Sequence, residues 1–258
     1  MPIEIFKNIS NKCLNKLGYR LEKISRPDQI VFPIDMEENT KTIIASVKPY
    51  SMTSIERLYG LIKAIDYISA CQIDGDIVEC GVWKGGSMMA AAKRLLEKKT
   101  TNRHLWLYDT YEGMPAPTAM DYSKRSGDAK QKFIDHSKEG SEYSDWCCSG
   151  IEEVIKNLKT VSYPENKLHF IKGKVEKTIP SEIPDRIALL RLDTDWYEST
   201  AHELKYLYPL LVTGGVIIID DYGHWEGCRK AVDEFMANLK SPPLLNRIDY
   251  TCRIGVKY

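Results

Sequence analysis

Residues 186–222, RIALLRLDTDWYESTAHELKYLYPLLVTGGVIIIDDY, decide the fold. An apolar run from Ile187 to Leu192, broken only by Arg191, ends in Asp193-Thr194-Asp195; a second, Val216 to Ile219, ends in Asp220-Asp221. Two short apolar runs flanking a longer segment describe strand, crossover helix and strand, and such a crossover returns the chain parallel to its start. Parallel strands present their carboxyl ends on one sheet edge, so Asp193, Asp220 and Asp221 are expected to converge there. Three convergent carboxylates repel one another, and a hard divalent cation such as Mg²⁺ is the simplest neutraliser, because it takes carboxylate oxygens and keeps sites for water or substrate oxygens. The alternative is a set of strand-end acids that face water and cap the following helices. Asp195 is compatible with either side of the edge.

The same alternation extends outward. Further strands are expected over 76–80, 104–109 and 167–171, with 215–221 continuing into Asp220-Asp221, and residues 246–257 alternate well enough for an antiparallel hairpin at the sheet edge. Residues 1–75 read instead as a helical N-terminal extension or lid ahead of a 76–258 α/β domain. Within it Ile5, Ile9, Cys13 and Leu17 form one stripe, and Ile55, Leu58, Ile62, Ile65 and Ile68 another. The polar stretch 110–149 is long for a connection and reads as a mobile lid over the site.

Composition restricts the partners. The 258 residues are 43% hydrophobic, and 36 basic residues balance 36 acidic ones, so no net field gathers nucleic acid or an anionic membrane. A small-molecule partner is expected, with no nucleic acid and no membrane. Seven cysteines, an odd number without C-x-x-C spacing, fit a reduced, cytoplasmic setting, and the first residues lack the apolar stretch of a signal peptide or membrane span.

Two further motifs carry chemistry. Glu79-Cys80-Gly81-Val82-Trp83-Lys84-Gly85-Gly86-Ser87 joins a strand to a helix of small residues; its glycines let backbone approach a ligand, and free N–H groups at the helix start favour an anion. A plain connecting turn is the alternative. Asp109 ends the next strand, where a carboxylate holds ribose hydroxyls in open α/β sheets, although it also suits a cap for the following turn. His224, three residues beyond Asp221, is a candidate base or a packing residue. Tyr50, Met52 and Thr53 precede the second N-terminal helix and reach the same edge if that helix packs over it, with Thr53 or Ser54 as an ordinary N-cap the alternative.

These motifs, with Tyr50-Ser51-Met52-Thr53-Ser54, Asp109-Thr110-Tyr111-Glu112-Gly113-Met114-Pro115, Leu192 to Thr200 and Asp220-Asp221-Tyr222-Gly223, resemble the macrocin O-methyltransferase (TylF/MycF) family, which is metal-dependent and acts on sugars of natural products. The resemblance implies a class I, Rossmann-like methyltransferase sheet with helices on both faces, S-adenosylmethionine as methyl donor, a divalent cation, a diol-bearing acceptor in natural-product or polysaccharide biosynthesis, and homo-oligomeric assembly. It places Glu79, Gly81, Val82, Gly85 and Ser87 around the methionine end of the cofactor, Asp109 on its ribose, and Ser149, Gly173 and Lys174 at the rim of its adenine pocket, while Met52 and Thr53 stay candidates for its methyl end by position. Asp193, Asp220 and Asp221 are the implied metal ligands, and Asp193 the implied base, with His224 or a metal-bound water as alternatives. Thr194 and Trp196 depart from the family pattern, and residues 1–45 and 117–148 carry little of the match.

Rival readings explain less. A nucleotide-sugar glycosyltransferase using Asp193-Thr194-Asp195 leaves Asp220-Asp221 and the Glu79-Cys80-Gly81 turn unexplained. A nicotinamide-dependent dehydrogenase lacks its G-x-G-x-x-G spacing. A non-catalytic cofactor-binding protein has no use for three intact acids.

Overall fold

The computed structural model describes residues 30–137 and 140–258. The stripe over Ile5 to Leu17 lies outside them. Two compact units divide at Met36/Glu37, and the second, Glu37–Tyr258, carries every element discussed below.

Five parallel strands form the centre of a seven-stranded sheet: β1 (Asp76–Cys80), β2 (Leu105–Asp109), β7 (Leu168–Lys172), β8 (Ile187–Leu192) and β9 (Leu211–Ile219). The spatial order is β7-β2-β1-β8-β9, continued by β11 (Arg253–Val256) antiparallel to β9 and β10 (Asn246–Arg247) antiparallel to β11. This is the class I, Rossmann-like methyltransferase sheet, with the expected hairpin at its edge. All six residues of β8 are buried, as a central parallel strand requires. β9 starts at Leu211, before the expected position, because Gly214, in the left-handed region at φ +82°, lets the strand pair across a register shift opposite Ile187 and Leu189.

Helices α1 (Glu38–Val47), α2 (Ile55–Ala70), α3 (Gly86–Glu97), α5 (Ile151–Lys159), α6 (Val175–Thr178), α7 (Tyr197–Leu207) and α8 (Glu226–Ala237) cover the sheet faces. The second sequence stripe is the buried face of α2: Leu58, Ile62, Ile65 and Ile68 are each fully buried. Ser54 caps this helix, its Oγ accepting from the Arg57 N–H at 3.2 Å.

Residues 110–149 hold two short antiparallel pairs, β3 (Met114–Pro115) with β6 (Tyr143–Ser144) and β4 (Tyr122–Ser123) with β5 (Gly127–Asp128), and helix α4 (Ala129–Asp135). Fully buried Asp121 fastens this segment: its Oδ1 accepts from the Tyr197 N–H at 2.8 Å at the start of α7, and its Oδ2 from Thr118 N–H and Oγ1–H. A Cβ on Gly227, at the start of α8, would stand 2.0 Å from the same Oδ1, so the two helix starts are fitted around this carboxylate. Trp146 completes the attachment, packing with Trp196 and Trp225 at centroid separations of 5.9 and 6.1 Å. Asp121→Ala removes a helix cap and orphans a buried N–H. We expect a loss of about 1–3 kcal/mol in urea unfolding and faster proteolysis within 110–149. Wild-type behaviour in both assays would show that Asp121 anchors nothing.

Candidate active site

The carboxyl ends of β1, β2, β8 and β9 meet in one cavity, lined by Met52, Thr53, Arg57, Gly81, Asp109, Gly173, Lys174, Asp193, Thr194, Asp195, Asp220 and Asp221, with Met114, Pro115 and Cys147 contributed by the 110–149 segment. The glycine-rich turn forms one wall. Gly81 has φ +84°, and a Cβ there would lie 2.0 Å from the Asp193 carbonyl oxygen, so only glycine allows the ends of β1 and β8 to close together. Gly85, at φ +87°, is the N-cap of α3 and has no side chain to occupy that helix's first N–H groups. Asp109 ties the turn to β2, its Oδ2 accepting from Val82 and Trp83 N–H at 2.7 and 3.0 Å and its Oδ1 from Tyr111 N–H at 2.8 Å. Burial raises its pKa against these bonds.

The opposite wall is a network of ions centred on Arg191. Its guanidinium is buried and donates to Glu79 Oε1 (2.6 Å), Asp193 Oδ2 (2.7 Å), Asp220 Oδ1 (2.6 Å) and Thr53 Oγ1 (3.1 Å). Glu79 and Arg191 stand side by side in the β1–β8 register, which is why the contact forms. Arg57 from α2 takes the other Asp220 oxygen and pairs with Asp249 at 2.9 Å. Asp220 is thus held by two arginines.

Asp193, Asp195 and Asp221 form a separate group, with one carboxylate oxygen from each lying within 4.8 Å of the others. Arg191 reaches only Asp193 of the three. Among the described residues no ion pair reaches Asp195 or Asp221, and Asp221 Oδ2 is buried without a hydrogen-bond partner. Burial, reinforced by the neighbouring acids, pushes Asp221 and Asp193 well above the carboxylate range, and burial raises Asp195 to about 7. Glu79 is likewise raised to about 7 by burial, against the attraction of Arg191, and its Oε2 has no partner.

These shifts fix a sign. A carboxyl with a raised folded pKa is protonated in the folded chain and ionised in the unfolded one between about pH 4 and pH 7, so folding takes up protons and stability falls as pH rises through that window. In EDTA, the unfolding free energy is expected to decrease from about pH 5 to about pH 8. A flat or rising profile would contradict the raised pKa values of Glu79 and Asp195.

The family model for macrocin O-methyltransferase (TylF) matches residues 20–255. The chain belongs to the macrocin O-methyltransferase family. It is 31% identical over 78% of its length, and 73% of the relative's, to the 8-demethyl-8-(2,3-dimethoxy-alpha-L-rhamnosyl)-tetracenomycin-C 4'-O-methyltransferase of Streptomyces olivaceus. It is 30% identical over 72% of its length, and 70% of the relative's, to the mycinamicin III 3''-O-methyltransferase of Micromonospora griseorubida. The solved O-methyltransferase NovP superposes with a TM-score of 0.70 at 28% identity, covering 81% of this chain and 82% of NovP. This macrocin-family protein is therefore an S-adenosylmethionine-dependent O-methyltransferase, and the glycosyltransferase, dehydrogenase and non-catalytic readings fall away.

The structure places the sequence-expected residues of this O-methyltransferase in three groups. Met52, Thr53, Gly81, Asp109, Gly173, Lys174, Asp193, Asp220 and Asp221 line the cavity, whereas Glu79, Val82, Gly85 and Ser87 are not among its lining residues. Ser149 donates to Glu153 Oε2 at 2.9 Å and lies outside the lining. His224 is also outside it: its Nε2 is 3.1 Å from Ser126 Oγ and its Nδ1 2.7 Å from the Tyr250 hydroxyl. Of the acids, Asp193 and Asp221 come together with Asp195, while Asp220 turns to the arginines.

Sequence reasoning missed Arg191, Arg57 and Glu203. One arginine inside an otherwise apolar strand was the available signal for Arg191, because a buried charge requires a partner. Glu203, fully buried on α7, accepts from Thr194 Oγ1 at 2.9 Å beneath the Asp193–Asp195 turn and is raised well above the carboxylate range by burial. It steadies the one position between the acids that departs from the family pattern.

Proposed function

We propose that this enzyme methylates a hydroxyl of a sugar, or of a similar diol-bearing small molecule, in natural-product or polysaccharide biosynthesis, with a divalent cation at the acid cluster. The observation that carries the reading is the Asp193–Asp195–Asp221 group, in which an orphaned buried carboxylate oxygen lies with two further carboxylates and, among the described residues, no ion pair balances Asp195 or Asp221. Such an oxygen-only donor set suits Mg²⁺ or a similar hard ion. Asp220 then acts as the arginine-held support of this group, or as a ligand after releasing one arginine. Relatives that act on a rhamnosyl group or on mycinamicin support the sugar reading.

For the cofactor, Glu79 Oε2 offers an unused buried acceptor suited to an ammonium group, with the Ser87 hydroxyl beside Glu79 and the uncapped start of α3 next to it for a carboxylate. Met52, Thr53, Gly81, Val82 and Gly85 complete that end. Asp109 accepts three backbone N–H groups and keeps lone-pair capacity for a ribose hydroxyl, and Gly173 and Lys174 line the adenine end, with Ser149 at its rim outside the lining.

When bound, the cation lowers the pKa of a coordinated hydroxyl and S-adenosylmethionine supplies an electrophilic methyl group. The chain contributes alignment and proton acceptance. Asp193 is the base, held by Arg191 at the cavity floor with 26% of its side chain open. His224, with both ring nitrogens engaged and no cavity exposure, is the second choice. Residues 110–149 cover the acceptor through Met114, Pro115 and Cys147.

Asp193→Asn is expected to lower kcat by at least about 100-fold, the scale of general-base removal, while S-adenosylhomocysteine binding changes little in calorimetry. Full turnover in that variant, or turnover unaffected by EDTA, would overturn the cation-assisted mechanism. No described helix is long and apolar enough to cross a membrane, and Cys71, Cys80, Cys147, Cys148, Cys228 and Cys252 are free, which supports a reducing, cytoplasmic setting. Homo-oligomeric assembly is checked by light scattering.

A further inference from the structure

Asp195 joins the acid cluster from a backbone conformation that its surroundings must hold. Its φ of +68° lies in the left-handed region, which a residue with a side chain keeps only where neighbouring contacts fix it. The Trp196 N–H donates to the Thr194 carbonyl at 2.8 Å, so the chain reverses around Asp195 in a tight turn of the rare, strained kind. Arg191 holds the Asp193 carboxylate directly, whereas no ion pair reaches Asp195 among the described residues. The place of its carboxylate is therefore set by the turn.

Both ends of the turn are tied to other elements. The Asp193 N–H donates to the Cys80 carbonyl at 2.8 Å, and the Trp196 indole N–H to the Pro115 carbonyl at 3.1 Å. Thr194, between them, is held by α7. Its hydroxyl donates to Glu203 Oε1 at 2.9 Å, and the Ser199 hydroxyl reaches the Thr194 and Trp196 carbonyls at 3.3 and 3.2 Å. Ser199 has a single proton to share between two long contacts, so the Thr194–Glu203 bond is the firmer of the two restraints.

Glu203 is a costly group to place there for packing alone. It is fully buried, no ion pair reaches it among the described residues, and its Oε2 has no hydrogen-bond partner. Burial favours its neutral form, in which it adds no charge beneath the acids and still offers Oε1 to the Thr194 hydroxyl. We propose that Glu203 is a positioning residue of the cation site: through Thr194 it fixes the turn that presents Asp195 to Asp193 and Asp221. The helix that follows the acids thereby sets the cation affinity without touching the cation. Groups that orient a metal ligand from behind contribute to affinity in this way.

This inference rests on the acid cluster being a cation site, and its test needs neither acceptor nor turnover. The full chain is titrated with Mn²⁺ alone, followed by the paramagnetic resonance signal of the free ion, and S-adenosylhomocysteine binding in EDTA checks the fold of each variant. Thr194→Val and Glu203→Leu are each expected to weaken Mn²⁺ binding about tenfold or more, the scale for removing a group that orients a ligand. Glu203→Gln, which keeps the acceptor oxygen, should bind Mn²⁺ as wild type does. The double variant Thr194→Val/Glu203→Leu should bind no more weakly than the weaker single one, because both changes break the same connection. Should Glu203→Leu fail to fold, Thr194→Val and Glu203→Gln decide the question between them. Wild-type affinity in Thr194→Val, equal loss in Glu203→Gln, or additive losses in the double variant would overturn the positioning role and leave the cation site standing. No saturable Mn²⁺ binding by wild type would remove both.

Discussion

Replacing Arg191 with methionine is expected to cost about 3–5 kcal/mol of folding stability at neutral pH, the scale for removing one partner of a buried ionic network. The side chain is buried and answers Glu79, Asp193 and Asp220 simultaneously, while Arg57 reaches only Asp220. Without it, Glu79 and Asp193 lose the one ion-pair partner they have among the described residues. The loss should shrink on acidification, because burial already raises both carboxyls and protonation removes the charge left without a partner. Urea unfolding of the variant at about pH 8 and about pH 5 checks both statements. A loss below about 1 kcal/mol at pH 8 would mean that water entering through the cavity solvates the acids, and that the arginine positions them without holding the fold together.

That network also marks the limit of what was legible in the chain. The parallel strands could be read because buried central strands are continuous apolar runs, and β1 begins and ends where the pattern placed it. The carboxyl-edge position of Asp193 and Asp220-Asp221 followed from topology alone. Which acid of the Asp220-Asp221 pair joins Asp193 did not, since adjacent residues leaving a strand point in different directions and the choice is set by Arg57, distant in sequence. Asp195 was ambiguous for the same reason, and its placement depends on the turn at φ +68°. Residues 110–149 read as one mobile lid because two-residue strands leave no periodic signal, and the fastening group, Asp121, is polar yet fully buried. Tyr108 and Trp196, by contrast, sit in the core as their size and apolarity suggest.

Asp221→Asn is expected to separate stability from activity. The wild-type side chain has a buried oxygen without a partner, no basic residue in contact, and Asp195 and Asp220 among the charges that oppose its ionisation. Removing that charge relieves repulsion in the cation-free protein, so the variant should unfold about 1–2 kcal/mol less readily than wild type in EDTA near pH 8, a fraction of the penalty for an unpaired buried charge. Near pH 5 the difference should narrow, because the raised pKa of the wild-type carboxyl favours its neutral form as pH falls. Activity should move the other way: a cation site that loses one of three carboxylates binds more weakly and polarises its hydroxyl less, with a fall in kcat/KM of about 100-fold or more. Added Mg²⁺ should raise the unfolding midpoint of wild type and leave that of the variant almost unchanged, because only a ligand that binds the folded state shifts the equilibrium. If the variant were less stable than wild type in EDTA, the orphaned oxygen would have an unseen donor and the cluster would be structural. If it were more stable yet fully active, Asp221 would be a dispensable charge, and the cation would have to be held by Asp193, Asp195 and Asp220 after Arg57 gives way.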